Sequence, residues 1–117
     1  MSIKTIFAHV SCSNLAASSE WYEKLFGKPV TRRPMAGLAE WHFTDSAEVQ
    51  LFENAEHAGS STLTLGVSEL QSERKRLEAA GLAPGQIEEA KYLNIMRLND
   101  PDRNLVVLAS PKPQAEA

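Results

Sequence analysis

The sequence predicts an α+β domain assembled from two copies of a βαβββ module, and three observations predict it. Two segments alternate like strands and run into helices: IFAHVSC before LAASSEWYEKLF, and TLTLGV before the helix that opens at Leu70. The landmarks recur. Leu15 and Leu70 open the helices, Gly27 and Gly81 close them, and Leu51 and Val107 stand in the last strand of each half, a spacing of about 55 residues. Each helix is followed by three short strand-like runs separated by turn residues. The expectation is one domain over 1–110, with module one over 3–53, a linker over 54–60 and module two over 61–109.

Each element has a local cause. The first strand is Ile3–Cys12, alternating throughout. The first helix, Leu15–Phe26, takes Ser13 or Asn14 as its N-cap. Trp21, Tyr22, Leu25 and Phe26 join Leu15 in one apolar stripe, read as helix–sheet packing. Gly27 supplies the left-handed residue that ends it. Strand-like runs follow at Pro29–Arg33, Leu38–Thr44 and Glu48–Phe52, punctuated by Gly37 and Thr44-Asp45-Ser46. Module two repeats the order with a strand at Thr62–Val67 and a helix at Glu69–Ala80, where Ser68 and Gln71 form a capping box. Runs at Gln86–Ala90, Tyr92–Leu98 and Leu105–Ala109 complete it, and the tail 111–117 has too little to bury to be ordered. Glu73-Arg74-Lys75-Arg76 reads as a solvated helix face, and His57 as a solvated linker residue.

Composition narrows the function. The chain has 117 residues, 43 % hydrophobic and 23 % charged, enough for a real core. Twelve basic and 15 acidic side chains give a net charge of −3, which argues against a nucleic-acid surface. Neither a membrane span nor a signal segment is visible, and the single Cys12 has no internal disulfide partner, so a cytoplasmic home is expected. Cys12 should pack as a small hydrophobe rather than act as a nucleophile. No phosphate-binding loop, dinucleotide fingerprint or Ser/His/Asp arrangement is recognisable.

Strand alternation separates two faces. Ile6, Ala8, Val10 and Cys12 share one face of the first strand, and Phe7, His9 and Ser11 the other. Leu63, Leu65 and Val67 likewise oppose Thr62, Thr64 and Gly66. The helices should cover the aliphatic faces. The other faces then carry a mixture of Phe7, His9, Gln50, Phe52, Thr62 and Thr64, part aromatic and part hydrogen-bonding, which suits a small-molecule pocket. In Trp41-His42-Phe43 only one of the two sets, Trp41 with Phe43 or His42 alone, can face it.

The pieces NLAASSEWYEKLFGKP, PMAGLAEWHF, VQLF, TLGVSEL and NDPDRN, taken together, resemble the vicinal oxygen chelate superfamily, which includes glyoxalase I, bleomycin-resistance proteins and extradiol dioxygenases. The likeness spans about residues 3–109. It implies a curved, incompletely closed mixed sheet around a cleft, helices outside, and a homodimer. It does not fix one reaction. Arg103 stands where the resemblance leads one to expect glycine, which makes a positive-φ conformation there doubtful or slightly strained.

Metal-using members of that superfamily take ligands from four strand positions, which correspond here to Phe7, Gln50, Thr62 and Val107. Only Gln50 is a possible ligand, and one neutral amide does not hold zinc, nickel or iron. His9 lies two residues beyond Phe7 on the same face, about 6.6 Å along a strand, and replaces it only if the strand slips.

The resulting expectation is a metal-free, cofactor-free homodimer that binds a small, partly aromatic ligand. Phe7, Trp41, Phe52 and Met96 would give apolar contact, and His9, Gln50, Thr62 and Thr64 would orient polar groups. One alternative is a glyoxalase-type lyase or isomerase with an irregular metal site of Gln50, His9 and His42 or Glu48. The other is a dimeric interaction module in which Phe7, Phe52 and Val107 form a core.

Overall fold

The computed structural model describes residues 1–112. Strand β1 (Ile6–Cys12) leads into helix α1 (Leu15–Phe26), β2 (Leu38–Thr44) and β3 (Ala47–Glu53). Then come β4 (Thr62–Gly66), α2 (Leu70–Ala79), β5 (Glu88–Glu89), β6 (Leu93–Asn99) and β7 (Leu105–Pro111). Two mixed sheets form, ordered β1-β3-β2 and β4-β7-β6-β5. In each, the first strand of the module lies parallel to the last, and the strand before the last lies antiparallel to it. This is the α+β pair of modules that the repeat predicts, and the sheets do not close into a barrel.

The helices cover the aliphatic faces. Val10, Cys12, Leu51, Leu63, Val106 and Leu108 are buried, with Tyr22 and Leu25 of α1 and Leu77 of α2 packed among them. Asn14 caps α1, its Oδ1 accepting from Ala17 N at 3.0 Å, and Gly27 ends it at φ 66°.

Several expectations change. The run Pro29–Arg33 is reduced to one bridge, Arg32 to Glu40, because prolines at 29 and 34 remove ladder donors on both sides. The capping box on Ser68 is absent: Glu69 is the N-cap of α2 without a side-chain bond, and the Ser68 carbonyl instead accepts from Ser110 Oγ. Arg76 is more than a solvated charge. Its guanidinium donates to the Lys24 and Leu25 carbonyls at 2.9 and 2.6 Å, capping the end of α1 from α2. The tail starts later than expected, since Pro111 closes β7 and Lys112 N donates to Tyr92 O; its remainder lies outside the described residues.

The two sheets are not joined by a strand ladder. The turn Asp100–Asn104 joins the modules instead. Asn104 Nδ2 donates to Ser11 O at 2.9 Å, and its Oδ1 accepts from Gly59 N and Ser61 N. Asp100 accepts from Tyr22 OH at 2.7 Å, and Asp102 accepts from the Ser13 backbone and hydroxyl. Arg103 completes the turn at φ 68°, the only positive-φ residue other than glycine among the described residues.

The left-handed conformation costs an L-residue about 1 kcal/mol, partly offset because glycine loses more freedom on folding. Arg103→Gly is therefore expected to stabilise the protein by up to about 1 kcal/mol. Scanning calorimetry would read this as a higher Tm, and a lower Tm would show that the turn is not strained.

Candidate functional site

The sheet faces turned away from the helices carry the chemistry. In module one the register sets Phe7 beside Glu48, His9 beside Gln50 and Ser11 beside Phe52, with Glu40 across from Gln50 and His42 across from Glu48. The side chains join into a row across three strands. His9 Nδ1 lies 3.2 Å from Gln50 Oε1, and Gln50 Nε2 donates to Glu40 Oε2 at 2.7 Å. Arg32 donates to Glu40 Oε1 at 2.6 Å and to Glu48 Oε1 at 2.7 Å. His42 Nδ1 stands 3.8 Å from Glu48 Oε2. Glu40 and Glu48 are buried, at 4 % and 8 % exposure, and share one guanidinium. The Glu40 hydrogen bond leads the causes that hold the Arg32 guanidinium above its ordinary pKa.

The row fixes a tautomer. A carboxylate only accepts, so Glu40 requires the amide N–H of Gln50 on its side. That leaves Gln50 Oε1 toward His9, and an amide oxygen requires a donor, so His9 carries its proton on Nδ1. With the single ring proton on Nδ1, Nε2 is a lone-pair acceptor, and no hydrogen bond reaches it among the described residues.

Phe7, 38 % exposed, and half-buried Phe52 flank the row; the Phe52 ring centroid is 6.0 Å from that of His9. Module two contributes Thr62 and Thr64, beside Leu105 and Val107 in register. Arg97, next to Val107, pairs with Glu88.

Two residues expected at the cleft lie elsewhere. Trp41 has no exposed surface; it packs under α1 against Phe26 and Tyr22, and its Nε1 donates to Lys28 O at 3.1 Å. Its register partner is Val49, a core residue, so His42 takes the open face. Met96 is likewise fully buried opposite Leu108. In both cases a strand position one residue away from the open set points to the helices. Sequence reasoning missed Arg32 and Glu40. The available signal was Glu40 itself, an acid between Ala39 and Trp41 in an apolar run, which needs a cation when buried.

The four metal-ligand positions do not fit a metal. Phe7 and Val107 have no lone pair to give, and both ends of the Gln50 amide are engaged. His9 keeps register with Gln50 rather than slipping to the Phe7 position. The irregular set fares no better: Glu48 holds Arg32, and no three His, Cys, Asp or Glu groups gather for a metal among the described residues. No described helix is long and apolar enough to cross a membrane.

A βαββ and a βαβββ module, with helices on one side and an open polar and aromatic face on the other, define an open α+β architecture. No protein-family model matches the sequence, and no curated protein matches it. Solved structures do. A glyoxalase/bleomycin resistance protein from Catenulispora acidiphila DSM 44928 is 25% identical at a TM-score of 0.84, covering 92% of this chain and 97% of that one. TnmS3, an antibiotic binding protein from Streptomyces sp. CB03234, is 18% identical at 0.79, covering 92% and 95%. A lactoylglutathione lyase from Agrobacterium tumefaciens is 15% identical at 0.75, covering 90% and 91%. The chain shares its fold with these proteins, which is the fold of the vicinal oxygen chelate superfamily that its sequence resembles.

Cys12 stands apart from the open face. Burial, with Asp102 adding its charge, pushes the thiol from 9.0 up to about 11. Thiol reagents at pH 8 are expected to leave it unmodified until the protein unfolds; rapid native-state labelling would contradict this. Below pH 9 the thiol is neutral folded and unfolded. Between 9 and about 11 the unfolded chain loses the proton first, so stability should fall with rising pH in that window.

The tautomer is also open to measurement. Long-range 15N–1H correlation spectra should show His9 protonated at Nδ1 in the wild type. Gln50→Leu should release that preference, and a wild-type His9 protonated at Nε2 would break the assignment of the row.

Proposed function

We propose that the chain is a small-molecule binding protein, working without metal as a cytoplasmic homodimer whose second copy covers the open faces. The ligand is a planar, partly aromatic molecule that carries a hydroxyl or amine donor. The observation that carries this reading is the row from His9 to Glu48, which closes on Arg32 as its cation and leaves His9 Nε2 as a waiting acceptor. Phe7 and Phe52 offer ring contacts of about 0.5–1.5 kcal/mol per pair beyond area burial. Thr62 and Thr64 add hydroxyls from module two. The exposed apolar side chains Phe7 and Leu93 support burial against a second copy. An antibiotic binding protein shares the fold and agrees with capture, as a lactoylglutathione lyase agrees with the alternative of conversion.

The test is thermal shift with a panel of planar phenols and aromatic amines, alongside light scattering. A ligand at a hundred times its Kd should stabilise the dimer by about 2.7 kcal/mol. His9→Ala and Gln50→Ala should weaken binding while the protein stays folded. No stabilisation by any compound, or loss of stability in both variants without loss of binding, would count against the reading. Stoichiometric zinc, nickel or iron in the purified protein, with activity lost to a chelator, would replace it with the enzyme reading.

A further inference from the structure

A cavity of about 540 Å³ lies between the modules, and of the open-face residues only Glu48 and Thr64 reach it. It sits at the seam of the edge strands β1 and β4, beneath the C-terminal end of α1. Its apolar wall includes Ile6, Leu25, Phe26, Phe43, Leu65 and Val67. Ile6, Leu65 and Val67 belong to the helix-side set of their strands, opposite in parity to Phe7, His9 and Thr62. The cavity has a cause in sequence: α2 is strongly charged and buries only Leu70 and Leu77, so it leaves Leu65 and Val67 half-covered.

We infer that this seam cavity is a second ligand site, for an uncharged aromatic molecule of one or two rings. Size comes first, since the volume falls in the range of small-molecule pockets. Charge comes second. The charged residues that reach the cavity are Glu48, Glu73 and Arg76, and each already has a partner. Arg76 donates to Glu73 and to the last carbonyls of α1, and Glu48 holds Arg32. An ionic ligand would find no unpaired counter-charge and would lose its hydration. Ring geometry comes third: Phe26 and Phe43 meet edge to face at 4.8 Å and 71°, presenting both edge and face to a third ring. Thr44 and Ser46 at the rim supply hydroxyls for one neutral polar substituent.

The test uses N-phenyl-1-naphthylamine, a neutral probe that brightens in apolar surroundings. It should bind the wild-type protein with enhanced emission and quench Trp41, whose ring lies 5.3 Å from that of Phe26. Val67→Phe, which fills the cavity, should weaken binding at least tenfold. Phe43→Ala, at an exposed position, removes one ring without touching the core and should weaken it severalfold even if Val67→Phe does not fold. Phe7→Ala and Gln50→Ala should leave probe affinity unchanged. Failure of the probe to bind, affinity indifferent to the cavity variants that fold, or affinity lost with Phe7→Ala would each overturn the inference. Affinity lost with Phe7→Ala would place the probe, itself an aromatic amine, on the open face; the other outcomes leave the open-face reading untouched.

Discussion

The two modules are held in place by one buried carboxamide and the carboxylate beside it. Each module is small, and β1 and β4 meet without exchanging a ladder. Their relation is held by Asn104, 1 % exposed, whose amide spans three chain segments, and by Arg76 of α2, which ties the end of α1. Asn104 donates to the end of β1 and to Asp100, and accepts from the backbone amides of Gly59 and Ser61. Asp100 in turn takes the Tyr22 hydroxyl and the backbone amides of Asp102 and Asn104. Burial and that carboxylate push the Tyr22 phenol well above its ordinary pKa, so it remains a donor. A buried polar network of this kind stabilises only when its members are satisfied, which makes it specific to one arrangement of the modules. The left-handed Arg103 belongs to the same constraint, because it turns the chain between Asp102 and Asn104.

Much of the fold was legible because it is written in periods. Alternation in IFAHVSC and TLTLGV, two helices ended by glycine and a repeat of the whole order need no tertiary knowledge. Pro29–Arg33 misled because β-like residues between prolines satisfy the pattern but not the ladder. The Ser68 cap misled because its signature is local, whereas the observed partner of the Ser68 carbonyl, Ser110, lies 42 residues away. Arg76 shows the same limit: a charge run looks solvated until another helix ends beside it.

The site was half legible for a related reason. Phe7, His9, Gln50 and Phe52 follow from parity within single strands. Trp41 and Met96 were assigned by chemical type, as residues that suit an aromatic ligand, and parity sends both to the core. Arg32 and its two carboxylates become visible only when three registers are combined: a bridge at Glu40, an antiparallel pair at Gln50 and a parallel pair at His9.

That combination determines what the open face can do. Two buried carboxylates on neighbouring strands require a positive charge, and a metal ion or a guanidinium can each supply it. Here Arg32 reaches both acids, and its planar donors fit oxygens on two strands without the converging ligand shell that a metal needs. With the cation supplied by the chain, Glu40 is free to orient Gln50, and Gln50 to orient His9. The two carboxylates stay buried behind the half-exposed Arg32, while their effect emerges at the far end of the row as an unshared pair on a ring nitrogen. On the proposed reading, such a face selects a ligand by the hydrogen-bond donor it brings, and the phenyl rings beside it select for flatness.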